Sequence, residues 1–137
     1  MTNLSKAKAN VIKNNPEYKN LINAVIRRVG FDNVENIVNY GISGGYSGFT
    51  YYTDTVAFWR KYRKEITEHM KNFASDLDES MGDFLSNFNC FNGYDQGELL
   101  EAFYGRYNDE YTFIYNGFAW YAAEEVCRMI SDELYNN

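Results

Sequence analysis

Proline occurs once in this 137-residue chain, as Pro16, and histidine once, as His69. A single proline leaves long stretches free to be helical, because proline is the residue that breaks helices most strongly. One histidine excludes the usual clusters: there is no HExxH, ExxH or Cys/His set for zinc or a di-iron centre. Cysteine occurs only twice, as Cys90 and Cys127, with no CxxC spacing. That is too little for a disulfide scaffold and predicts reduced thiols in a cytoplasmic protein. No run approaches the roughly 18 uncharged apolar residues of a membrane span. The polar start, Met1 to Asn10 with Lys6 and Lys8, lacks the apolar segment of a secretory signal. A soluble protein is expected.

What the chain has in excess is aromatic rings: 13 Tyr, 10 Phe and 2 Trp, 18% of its residues. A core built from rings follows. The length suits one domain, read as a helical lead-in over 1–30 and a main helical body over 31–137.

Charge is divided along the chain. Residues 1–71 carry 11 Lys and Arg against 6 Asp and Glu; residues 72–137 carry 2 against 13. Such a division points to a binding surface of one sign, or to halves that complement each other.

Hydrophobic spacing predicts a mostly α fold. Ser5–Asn14 reads as a short polar helix. Asn15 caps a second helix with Pro16 at its first position and a stripe of Leu21, Ile22, Val25, Ile26 and Val29, ended by Gly30. Asp32 caps a short third helix through Val34, Ile37 and Val38, stopped by Gly41. Four glycines within residues 41–48 argue against a regular helix and predict a β-ribbon or an irregular loop over 41–52. Thr53 or Asp54 opens a long helix to Leu77, whose stripe is Val56, Trp59, Tyr62, Ile66, Met70, Phe73 and Leu77. Shorter helices follow over 79–88 and 96–104. Asn108 or Asp109 caps a last long helix to Tyr135, apolar nearly all round from Phe113 to Ala123.

The motifs of catalysis are missing. His69 follows Glu65 by four residues, an ordinary helix-surface pair. Asp76, Asp78, Glu79 and Asp83 lack the glycine and glutamate positions of a calcium loop. The glycine segment has no Walker lysine, since no Lys or Arg stands between Arg28 and Arg60, and no strand is expected before it. Ser43, Ser47, Cys90 and Cys127 have no base or orienting acid nearby in sequence. The expectation is a protein without catalytic residues, metal or cofactor.

Two surfaces remain as binding candidates. Arg60, Lys61, Arg63 and Lys64, interleaved with Trp59 and Tyr62, are a candidate nucleic-acid site, opposed by the net charge of −6 and by the place of both rings in the core stripe. The other surface is acidic. Asp95, Glu98, Glu101, Asp109, Glu110, Glu124, Glu125, Asp132 and Glu133 together imitate a nucleic-acid backbone and suit a basic groove. Asp132 and Glu133 stand in the last turn of their helix, where its dipole disfavours them, so mutual pairing or a basic partner must offset the cost. Gly44, Gly45 and Tyr46 would add loop contacts.

At Gly44-Gly45-Tyr46-Ser47-Gly48-Phe49, followed by Tyr51-Tyr52-Thr53-Asp54-Thr55-Val56-Ala57-Phe58, the sequence resembles a group of small phage and mobile-element proteins of unassigned chemistry. The run Phe118-Ala119-Trp120-Tyr121-Ala122-Ala123-Glu124-Glu125-Val126, with Arg128, resembles the end of the same group. The likeness spans residues 38–130 and leaves 1–30 unplaced. It implies a phage or prophage product acting in bacterial cytoplasm. By analogy with small acidic phage proteins it implies an anti-CRISPR-type inhibitor of a host defence effector such as a Cas complex. The alternative is a phage nucleic-acid-binding or regulatory protein using the basic helix over 60–71. A third class is an enzyme on a small metabolite, for which a deep polar pocket would speak.

Overall fold

The computed structural model of the chain describes residues 3–45, 47–49, 52–88, 91, 93–105 and 112–136. The fold is mostly α, with no strand among the described residues. Seven α-helices are described: α1 (Asn3–Asn14), α2 (Lys19–Val29), α3 (Val34–Gly45), α4 (Tyr52–Asp76), α5 (Met81–Ser86), α6 (Gln96–Phe103) and α7 (Thr112–Asn136). Single 3-10 turns at Pro16–Tyr18, Phe31–Asn33 and Ser47–Phe49 join the early ones.

The chain forms two compact units. One is Met1–Tyr51 with Ala122–Asn137; the other is Tyr52–Tyr121. In the first, α2 buries Leu21, Ile22, Val25, Ile26 and Val29, the stripe expected from spacing. The second half of α7 buries Ala122, Ala123, Val126, Cys127 and Ile130. This core is largely aliphatic.

The ring-on-ring contacts described lie in the second unit. Trp59 on α4 packs against Phe118 at 4.6 Å and Tyr115 at 5.7 Å, both on α7. Phe91 meets Phe118 edge-on at 5.0 Å, and Phe88 meets Tyr121 at 5.0 Å. Edge-to-face contacts of this kind add about 0.5–1.5 kcal/mol each beyond the area they bury.

Local differences from the sequence reading have local causes. Asn15 makes no side-chain cap; its amide turns back and donates to the Val11 carbonyl at 2.9 Å, while Pro16 opens a 3-10 turn before α2. Val38 and Leu77, placed on apolar stripes by spacing, are exposed. The regular turns of the short third helix end at Gly41, as expected, and a second helical piece follows within α3. The backbone breaks at Gly41, at φ 73° and ψ 179°, and then makes further helical turns to Gly45. Only glycine adopts that conformation without strain, so one residue supplies the kink and the remaining glycines follow it as a turn. Of ribbon and loop, the described part of 41–52 is neither extended nor paired. Caps at Asn108 or Asp109 lie outside the described residues.

Candidate functional site

The acidic residues singled out by sequence occupy three different settings. Glu98 and Glu101 stand on α6, where Asp95 is the N-cap and accepts from the Glu98 N–H at 2.8 Å. Partial burial, then the neighbouring Asp95 charge, push the Glu98 carboxyl above the usual carboxylate range. Glu101 is exposed. Asp109 and Glu110 lie outside the described residues, as does the backbone of Tyr46. The backbone of Gly44 and Gly45 lies in the turns at the end of α3.

Glu124 and Glu125 are not the open surface expected of them, because both are drawn into their own unit. The half-buried Glu124 accepts a hydrogen bond from the Ile42 N–H at 3.0 Å. Its Oε1 stands 3.1 Å from where a Cβ on Gly41 would lie. Burial raises its carboxyl above the ordinary value; the Ile42 N–H works against this and the Glu125 charge adds to it. Glu125 is 9% exposed. Arg128 grips it through Nε at 2.8 Å and Nη2 at 2.7 Å, and reaches Asp132 through Nη1 at 2.8 Å. Burial disfavours the Arg128 charge, yet the two carboxylates more than restore it. Asp132 is thus offset by pairing within its own helix. The spacing 125–128–132 carried that signal, since residues three and four apart are neighbours on a helix.

Beside this network runs a shallow groove of about 270 Å3. Val11, Asn14 and Asn15 line one wall; Arg128, Met129, Asp132 and Glu133 line the other. It is open and mixed in character.

Grouping charges by unit changes the division seen along the chain. The unit of Met1–Tyr51 and Ala122–Asn137 carries seven Lys and Arg and seven Asp and Glu, so it is neutral. Tyr52–Tyr121 carries six against twelve, and with them the whole net charge of −6. Within it, residues 72–105 hold seven carboxylates and no Lys or Arg. Asp76, Asp78, Asp83, Asp95 and Glu101 are exposed there.

On α4, Arg60, Lys61 and Lys64 are exposed. Arg63 is half-buried: its guanidinium lies over Trp59 at 5.7 Å and fills the space that a side chain at Gly105 would need. Trp59 is 1% exposed and offers no face for base stacking. His69 Nδ1 meets the Tyr121 hydroxyl at 2.9 Å, and its ring stacks on Phe73. Cys127 is buried, and burial together with the Glu124 charge pushes its thiol up to about 12. Among the described residues no group of three or more His, Cys, Asp or Glu side chains is placed to hold a metal ion. None of the described helices is long and apolar enough to cross a membrane.

Sequence reasoning passed over Arg28. It donates to the Gly48 carbonyl at 3.2 Å and lies over the Phe49 ring at 5.5 Å, fixing the 3-10 turn of the glycine segment. No local spacing signals a contact 20 residues away.

Residues 8–136 match the family model described as Domain of unknown function (DUF7222), and the chain belongs to that family. No curated protein and no solved structure matches it.

Proposed function

We propose that the protein is a non-enzymatic inhibitor that docks an acidic surface into the basic groove of a bacterial nucleic-acid-targeting defence complex, in the manner of an anti-CRISPR protein. The observation that carries the reading is the concentration of the entire net charge in Tyr52–Tyr121, with seven carboxylates and no Lys or Arg over 72–105. A field of one sign steers a basic partner into place and rejects polyanions. The phage setting and the bacterial cytoplasm come from the resemblance of the Gly44–Phe58 and Phe118–Val126 runs.

The docking residues of this reading are Asp76, Asp83, Asp95, Glu98 and Glu101. Asp132 and Glu133 are a secondary acidic patch beside the groove. Glu124 and Glu125 drop out as contact residues, because one bonds backbone and the other is gripped by Arg128.

The test is a tagged pull-down from bacterial lysate at low and moderate salt, with and without nuclease. The expected result is a basic effector complex, retained after nuclease and weakened by salt. The triple variant Asp76→Lys, Glu98→Lys and Glu101→Lys is expected to lose it while keeping the helical circular dichroism of the parent. Undiminished capture by that variant refutes the acidic-surface reading. Recovery of nucleic acid alone, abolished by nuclease, assigns the function to Arg60, Lys61 and Lys64 instead.

A further inference from the structure

The first two helices are cationic and carry no carboxylate. Lys6, Lys8 and Lys13 stand on α1, Lys19, Arg27 and Arg28 on α2, and neither helix contains Asp or Glu. Glu17, in the turn between them, is the single acid against these six cations over residues 3–29. The two helices pack on each other inside the unit of Met1–Tyr51 and Ala122–Asn137. That unit is neutral as a whole, so its charge is sorted rather than mixed.

Two of the six cations are committed to the fold. Lys8 lies over the Phe31 ring at 5.9 Å, and Arg28 holds the Gly48 carbonyl. The other four, Lys6, Lys13, Lys19 and Arg27, are exposed. Among the described residues none of their side chains has a hydrogen-bond or ion-pair partner. Lys6 and Lys13 are two turns, about 10 Å, apart on the side of α1 opposite the buried Val11. Asn3 and Asn10, also exposed, complete that row. On α2 the exposed Lys19, Asn20 and Arg27 lie away from the buried stripe of Leu21, Val25 and Val29.

Both rows therefore interleave cations with carboxamides. An ammonium or guanidinium pairs with phosphate oxygens, and a carboxamide N–H donates to them as well. No exposed ring stands in either row, since Tyr18, in the turn between the helices, is buried. Sites for single strands rely on rings that stack on unpaired bases. A face without rings suits a duplex, whose bases already stack on each other and whose phosphates line its outside.

We propose that the outer face of α1 and α2 binds the phosphate backbone of a nucleic-acid duplex, without reading its sequence, through Lys6, Lys13, Lys19 and Arg27. At 0.1 M salt an exposed charge is screened beyond about 10 Å, so this face, rather than the net charge of the chain, sets the local attraction. Arg60, Lys61 and Lys64 on α4 belong to the other unit and are a separate cluster. The inference goes beyond the proposed function and does not rest on it, because α1 and α2 hold none of the acidic docking residues.

Fluorescence anisotropy of a short labelled DNA duplex, titrated with the whole protein at several salt concentrations, tests it. Four phosphate pairs give a slope of about −3.6 in log K against log salt, a loss of roughly 150-fold between 50 and 200 mM. Replacing Lys6, Lys13, Lys19 and Arg27 together by Gln is expected to abolish binding at low salt and to leave the helical circular dichroism unchanged. Each single replacement is expected to lower the slope by about 0.9, which decides the matter if the quadruple variant does not fold. A duplex of unrelated sequence is expected to bind equally well, and one of its strands alone more weakly. Arg60→Gln, Lys61→Gln and Lys64→Gln together are expected to change nothing. Absence of duplex binding at low salt overturns the proposal, as does a slope that the single replacements leave unaltered. So does binding lost only in the α4 variant, or tighter capture of the single strand. Salt-sensitive self-association in place of duplex binding, abolished by the quadruple variant, overturns it by making a second copy of the chain the occupant. None of these results touches the acidic-surface reading, which is tested by capture of a protein complex with α1 and α2 intact.

Discussion

Replacing Arg128 by alanine isolates the most interior charge pair described in the fold. The Glu125 side chain is 11% exposed and receives two bonds from one guanidinium, at 2.7 and 2.8 Å. Without Arg128 a nearly buried carboxylate loses its counter-charge. Stranding one member of a fully buried pair costs about 3–5 kcal/mol. Arg128 is itself 40% exposed, so water replaces part of what is lost, and the cost falls to about 2 kcal/mol. In a chain of this length that lowers the melting temperature by roughly 7 °C.

The pair with Asp132 predicts something different. Asp132 is 54% exposed and stands four residues along the same helix, so it couples to Arg128 by only about 0.3–0.5 kcal/mol. Urea unfolding of Arg128→Ala, Glu125→Gln, Asp132→Asn and the two doubles measures both couplings in one set of cycles. The Arg128–Glu125 coupling is expected to exceed 1 kcal/mol and the Arg128–Asp132 coupling to stay below about half of that. Equal couplings, or a larger one with Asp132, refute the argument from burial.

Gly41→Ala places a side chain at φ 73°, 3.1 Å from Glu124 Oε1, and is expected to cost about 1–2 kcal/mol in urea unfolding; parent-like stability counts against the kink. Cys127, its thiol pushed up to about 12, is expected to resist a thiol reagent at pH 8 in a Cys90→Ser background and to react fully once unfolded. Rapid native labelling refutes its burial. Asp95→Ala removes a cap bond of 2.8 Å and Ser80→Ala one of 3.3 Å. The first is expected to cost about 1 kcal/mol and the second less, as thermal unfolding would show.

Most of the helical architecture was legible because one force wrote it. Apolar residues at three- and four-residue steps marked α2 and α4, and a run apolar nearly all round marked α7; α2 buries its expected face, and α4 buries Val56, Trp59, Ile66 and Met70 of its stripe but not Leu77. Both α5 and α6 open on polar N-caps, Ser80 and Asp95: Asp95 stands just before the helix read at 96–104, whereas Ser80 falls inside the one read at 79–88, which begins at Met81. The errors fall where a single backbone angle or a distant contact decides. Glycine density over 41–48 said that a regular helix was unfavourable; it did not say that the backbone would break at Gly41 and then resume helical turns to Gly45. Val38 followed the stripe by spacing, yet α3 buries Val34 and Ile37 and leaves it outside.

The candidate site was less legible than the fold, for a physical reason. Formal charge is a property of sequence, but availability is a property of packing. Glu124 and Glu101 are the same residue type and read alike along the chain. One accepts a backbone N–H 82 positions away, and the other is exposed on α6. Reversing Glu124, Glu125, Asp132 and Glu133 together would set a lysine ammonium against Arg128 and another against the Ile42 N–H. Lost binding in that variant would then follow from lost structure as readily as from lost charge. Reversal at Asp76, Glu98 and Glu101 touches none of the described contacts of the neutral unit, gives up the Glu98–Asp95 contact in its own, and changes that unit's net charge by the same sign at every position. Only a variant of that kind separates docking from folding, and its undisturbed circular dichroism is therefore part of the test rather than a control beside it.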